Sequence, residues 1–254
     1  MFAGNYWLII IHIHSSVLSI QSSMPIILSI ETATPVCSCT LSRDGEILQN
    51  RESHTAQSHA SLLGVFVNEH MEYARQNNLK IDAVAVSSGP GSYTGLRIGV
   101  SEAKGLSYGL GVPMIAIPTS KIMASMMRDK VEEGTLLCPM IDARRMEVYA
   151  TFYDQSLNVI RETSADIIEA DTYNDLLDEN RIAFFGNGSS KCKELSTHPN
   201  SIFIDNVDPL ATAMVPLAEQ AYAAGDFVDS AYFEPFYLKE FVATTPKNKV
   251  INVK

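Results

Sequence analysis

Residues 87–111 read SSGPGSYTGLRIGVSEAKGLSYGLG and carry seven glycines in twenty-five positions. Most of them fall where the apolar spacing is helical, and a helix-interior glycine costs about 0.5–1 kcal/mol relative to alanine. The segment leaves an apolar run at Ser87–Ser88, turns through Pro90–Gly91, and offers Ser92 or Thr94 as a helix cap. Glycines after a strand invite a phosphate-loop reading, but the spacing rejects it. No Gly-Lys-Ser/Thr follows, and Gly89, Gly91 and Gly95 are out of register for a dinucleotide fingerprint. Pro90 stands where a nucleophile elbow around Ser92 requires glycine. Gly95, Gly99 and Ala103 instead recur every fourth residue, a stripe with almost no side-chain relief that lets another backbone come close. Gly105 and Gly109 repeat the same spacing. Two partners fit the stripe: the chain's own preceding helix, or another chain docking on both helices.

Outward from this segment the periodicities order the first half of the chain. PIILSI (25–30) is a buried strand, PVCSCTLS (35–42) alternates, Arg43-Asp44-Gly45 turns, and EILQNRES (46–53) is a third strand. Leu62, Leu63, Phe66, Val67, Tyr73 and Ala74 recur at helical spacing and predict an amphipathic helix over 57–77. DAVAVSS (82–88) is a strand, a helix spans 94–110, and VPMIAIP (112–118) is the next strand. The second half repeats the order. TLLCPMID (135–142), RMEVYATFYD (145–154) and LNVIRETS (157–164) predict three strands. A short helix (171–179), RIAFFG (181–186), a helix from Gly188, SIFID (201–205) and a helix over 210–224 follow. Each half has an acid at the end of its first strand, Glu31 and Asp142, which suggests an internal duplication of a βββαβα unit. The expected division is 24–125 for one lobe and 126–254 for the other, with the last helix or tail free to cross back to the first lobe.

Duplicated α/β lobes of this order resemble the actin, Hsp70 and sugar-kinase superfamily. There the first hairpin of each lobe cradles phosphate, which calls for a glycine turn and a carboxylate to hold Mg²⁺ or water. Here the turns read Glu31-Thr32-Ala33-Thr34-Pro35 and Asp142-Ala143-Arg144-Arg145. The acids are present and the glycines are not. Glu31, Thr32, Thr34 and Asp142 therefore mark a degraded cleft, with no strong ATP turnover expected of the chain alone and weak ATP or ADP binding left open. His54 and His59 are five apart and do not share a helix face as an i, i+4 metal pair does. No nucleophile–base pair stands out.

Composition narrows the classes further. The 254 residues carry a formal charge of -10, with 46% hydrophobic and 19% charged residues. So acidic a chain is a poor nucleic-acid binder by itself; Lys247, Lys249 and Lys254 read as a solvated tail. Cys37, Cys39, Cys138 and Cys192 form no CxxC and read as buried, reduced thiols. Residues 1–23 contain no Lys, Arg, Asp or Glu, and their apolar run, Tyr6 to Ile11, is far short of the roughly 20 residues of a membrane span. They are expected to be a start-site artefact or a disordered extension before MPIILSI.

Residues 87–120 resemble the signature of the TsaB family, also called YeaZ. ILSIETAT (27–34), SHASLL (58–63), IDARRMEVYA (141–150) and PFYLKEF (235–241) extend the likeness over most of the chain after Met24. The resemblance implies a two-lobed actin-like fold and a part in making threonylcarbamoyladenosine at position 37 of ANN-decoding tRNAs. It implies a non-catalytic member that pairs with its paralogue TsaD, which carries the metal and transfers the group, while the ATPase TsaE joins them. It places the interface on the first lobe's helices, here Leu62, Phe66, Ser92, Tyr93, Gly95, Leu96, Gly99 and Ala103. A homodimer through the same surface is expected without TsaD. Further expectations are no metal, no required cofactor, tRNA contact only through the complex, no membrane, and a cytoplasmic location. TsaD's H-x-x-x-H motif is missing at His54/His59, and Glu31 replaces the aspartate of many relatives. The rival reading is a self-sufficient ATP-dependent transferase or a peptidase.

Overall fold

The computed structural model describes residues 25–55 and 58–238, so the expectations for residues 1–23 and for the tail lysines lie outside the described residues. Ile26–Glu31 forms β1, six buried residues in a row, as a strand covered on both faces requires. It pairs antiparallel with β2 (Cys37–Arg43), which pairs antiparallel with β3 (Glu46–Ser53). Helix α1 (His59–Gln76) leads to β4 (Ala83–Ser87), and α2 (Tyr93–Leu110) leads to β5 (Met114–Ile117). β4 and β5 add in parallel, so the first sheet runs β3-β2-β1-β4-β5. Leu63 and Val67 of α1 and Val100 and Ala103 of α2 cover one face, over Leu28, Ile30, Val84 and Val86.

Helix α3 (Thr119–Met127) connects to the second unit. That unit is β6 (Leu136–Asp142), β7 (Glu147–Tyr153), β8 (Val159–Ile167), α4 (Asn174–Glu179), β9 (Ile182–Phe185), α5 (Ser189–Lys193) and β10 (Ser201–Ile204). Its sheet runs β10-β9-β6-β7-β8, the first sheet's order with each strand replaced by its copy. The duplication is therefore a fact of topology, and the fold is the two-lobed actin-like α/β architecture. Phe152, Phe184 and Tyr173 pack ring against ring in the second lobe's core. All four cysteines are free and buried.

Two helices depart from the linear reading. α3 was not anticipated, and its Met123, Ala124 and Met127 pack on Leu137, Ile141, Ala183 and Phe185 of the second sheet. The last helix, α6 (Ala211–Ala224), does the reverse: Ala211, Met214, Leu217 and Ala218 lie on Ile27, Ala83, Ala85 and Ile115 of the first sheet. A division at 125/126 thus does not follow the packing. Each sheet is buried on both faces and needs helices on both; each half of the chain supplies one to the other. The segment after α6 also returns to the first lobe, where the Val228 amide donates to the Met114 carbonyl at 2.9 Å and the Phe236 amide to the Ser88 carbonyl at 2.7 Å.

Candidate functional site

Glu31 ends β1 with its side chain fully buried. Its Oε1 accepts from the Ala33 amide at 2.6 Å and from the Ser87 hydroxyl at 3.0 Å, while Oε2 has no partner among the described residues. Burial outweighs these bonds and pushes the carboxyl up to about 7. Thr32 and Thr34 are buried beside it, and Thr32 donates its hydroxyl to the Gly95 carbonyl at 2.8 Å.

That contact identifies what the glycine stripe faces. A Cβ on Gly91 would lie 2.4 Å from the Ala33 carbonyl oxygen, and one on Gly95 would lie 2.1 Å from that of Thr32. One on Gly99 would lie 2.2 Å from Thr32 Oγ1. The Ser92 amide donates to the Ala33 carbonyl at 2.7 Å, and Ser92 caps α2 by accepting from the Gly95 amide at 3.2 Å. Gly95 and Gly99 therefore face the β1–β2 turn. They seat that turn of their own lobe, and Gly95, Leu96, Gly99 and Ala103 are all buried. Those four residues, expected at an interface, lie inside the chain's own fold: the turn's backbone leaves no room for a side chain at Gly95 or Gly99, and the side chains of Leu96 and Ala103 are fully buried.

The second acid sits differently. Asp142 has a 45% exposed side chain whose Oδ1 accepts from the Arg144 amide at 2.7 Å and pairs with Lys191 Nζ at 2.5 Å. One carboxylate is buried and proton-retaining; the other is a surface ion pair. Among the described residues there is no group of three or more His, Cys, Asp or Glu side chains able to hold a metal. His59 is buried, with Nε2 at 2.9 Å from the Thr34 carbonyl, and ties the start of α1 to the same turn. His54 points elsewhere, 3.6 Å from Glu52.

The outward sides of α1 and α2 carry the residues that sequence reading passed over. Gly64 on α1 and Gly105 and Gly109 on α2 are exposed, and an added Cβ would meet nothing within 4 Å. Val65 is 50% exposed and Tyr108 88%. Leu62, Phe66 and Tyr93 are half-buried and Ser92 is exposed. Tyr93 stacks near Tyr237, 4.9 Å between ring centroids, with the Arg97 guanidinium 4.8 Å above it. Met71, Leu79 and Leu110 line an apolar groove between the C-terminal ends of the two helices. The spacing of Gly105 and Gly109 was visible in the sequence; that they point away from the Gly95–Gly99 stripe required the helix phase.

Comparison with known proteins places this geometry. The family model described as TsaD, tRNA N6-adenosine threonylcarbamoyltransferase, matches residues 46–215. The tRNA threonylcarbamoyladenosine biosynthesis protein TsaB of Escherichia coli (strain K12) is 31% identical over 224 residues, covering 85% of this chain and 96% of that protein. The chain belongs to the TsaB family. The TsaB of Haemophilus influenzae is 27% identical, with 85% of this chain and 94% of that protein aligned. The solved structure of YeaZ from Pseudomonas aeruginosa superposes with a TM-score of 0.68 at 23% identity, covering 85% of this chain and all of that one, and so shares the fold. Family members carry the name of tRNA threonylcarbamoyladenosine biosynthesis proteins. No helix of the described residues is long and apolar enough to cross a membrane.

Proposed function

We propose that this chain is a non-catalytic subunit in forming the threonylcarbamoyl group on adenosine 37 of ANN-decoding tRNAs. It pairs with TsaD through the outward face of α1 and α2, and TsaE joins the pair in the cytoplasm. The observation that carries the reading is the set of exposed helical glycines, Gly64, Gly105 and Gly109, with nothing near them. Each costs about 0.5–1 kcal/mol of helix stability, and no contact among the described residues offsets that loss. A partner helix lying against those backbones does. Val65, Tyr108 and the groove at Leu110 supply apolar area around them. The β1–β2 turn, which has no glycine and packs Thr32 and Ala33 against α2, supports a role without turnover in this lobe. In this reading no cofactor is required, tRNA is engaged through the complex, and the same face forms a homodimer when TsaD is lacking.

Size-exclusion chromatography with on-line mass measurement tests it. The chain mixed with TsaD gives a heterodimer, and Gly105→Trp abolishes that complex while the variant's circular dichroism and melting stay those of the wild type. Gly99 cannot serve in this test, because any side chain there collides with Thr32. Survival of the complex in Gly105→Trp refutes the assigned face. Modification of tRNA by the purified chain alone refutes the non-catalytic role in favour of a self-sufficient transferase.

A further inference from the structure

The β6–β7 turn holds two arginines where a chain ordinarily places glycine or asparagine. Arg144 and Arg145 have φ of +70° and +52°. Elsewhere the protein meets this left-handed requirement with Asp44, Asn78 and Asn206, residues suited to it, and at single positions with Leu157 and Tyr173. Long side chains at two successive such positions carry backbone strain that Asn-Gly would avoid.

The turn is braced from below. The Asp142 amide donates to Asn187 Oδ1 at 2.9 Å, and Lys191 bridges Asp142 Oδ1 at 2.5 Å and the Glu147 carbonyl at 2.8 Å. Gly188 lets the following segment approach so closely that a Cβ there would lie 3.0 Å from the Ile141 carbonyl carbon. The tip is left open: Arg144 and Arg145 are exposed, and among the described residues neither guanidinium has a hydrogen bond or ion pair. The neighbouring carboxylate of Asp142 is already engaged by Lys191. A rigid base thus presents two adjacent, unneutralised guanidinium groups on a chain of net charge -10.

We infer that Arg144 and Arg145 form a turn that grips the phosphodiester backbone of RNA. The inference rests on the proposed role in tRNA modification and adds a direct contact from this subunit. Guanidinium forks match phosphate oxygens two at a time, and backbone contacts position an RNA without reading its sequence. A protein partner is the weaker match, because such contacts draw on desolvated aromatic and aliphatic anchors and this turn adds only Met146. The acidic remainder of the chain repels RNA, so the contact acts on RNA already held by the complex.

The test uses the full chain alone and in its TsaD complex. The probe is a fluorescein-labelled, unmodified transcript of an ANN-decoding tRNA, titrated by anisotropy at several salt concentrations. The variant Arg144→Asn/Arg145→Gly keeps the turn conformation and removes its strain. It melts at the same temperature as the wild type or higher, keeps the TsaD complex, and binds the probe about tenfold more weakly. Its slope of log K against log salt is shallower by about 1.4–1.8, at about 0.7–0.9 per phosphate contact. Unchanged affinity and slope overturn the inference. A lowered melting temperature assigns the arginines to the fold, and loss of the TsaD complex assigns them to a protein contact; either overturns it. If the wild-type chain forms no TsaD complex, the proposed function fails and the RNA contact that rests on it is overturned with it, whereas an intact complex with unchanged RNA binding overturns the contact alone.

Discussion

Alanine placed at two positions of the same helix should have opposite effects. At Gly95 the added Cβ lies 2.1 Å from the Thr32 carbonyl oxygen, against the roughly 3.4 Å of ordinary contact, and this neighbour is backbone and cannot rotate away. The turn must retreat by more than 1 Å, straining the Thr32 hydroxyl bond to Gly95 and the Ser92 amide bond to Ala33. Overpacking of this kind costs about 1–3 kcal/mol and each weakened buried hydrogen bond about 0.5–1.5 kcal/mol. The helix propensity of alanine returns about 1 kcal/mol. The net loss for Gly95→Ala is about 3 kcal/mol, a fall in Tm of about 6–12 °C at this chain length. At Gly105 an added Cβ meets nothing within 4 Å, so Gly105→Ala gains about 0.5–1 kcal/mol. Urea unfolding of both variants, followed by circular dichroism, measures the pair. Equal shifts, or stabilisation at Gly95, refute the assignment of the stripe to intramolecular packing.

Glu31→Gln should remove a pH dependence. Folding raises this carboxyl from 4.5 to about 7 by burial, so the folded chain keeps a proton that the unfolded chain releases between those values. Stability falls as pH rises across that window and is level above it, by about 3 kcal/mol for a fully buried group. The variant mimics the protonated acid and should be more stable at pH 8 by up to that amount. His70, whose pKa is lowered by burial, adds a rise in part of the same window, so the wild-type-minus-variant difference is the readout; parallel curves from pH 5 to 8 refute the shift. Met214→Ala, fully buried against the first sheet, should cost about 2–5 kcal/mol. It should also speed amide exchange in β1 and β5, and a loss of protection confined to the second sheet argues against the helix exchange.

Sequence by itself determined the order of elements and the duplication. Continuous apolar runs such as Ile26–Ile30 and Ile182–Phe185 mark doubly buried strands, and the helical recurrence of Leu63, Val67 and Ala74 marks α1, because these patterns follow from local geometry. Resemblance over residues 87–120 named the family. The placement of Glu31 and Asp142 at the ends of copied strands was also legible; of the two caps offered, Ser92 and Thr94, the structure uses Ser92. What each helix packs against was not. Residues 119–127 are apolar on several sides because α3 lies between two sheets, so no single stripe announced it. α6 belongs to a sheet built from residues far earlier in the chain. The seven glycines of residues 87–111 look alike as letters, yet Gly91, Gly95 and Gly99 admit the β1–β2 turn whereas Gly105 and Gly109 stand open. Only the tertiary structure separates them, because a glycine's role is set by what lies beyond its missing side chain.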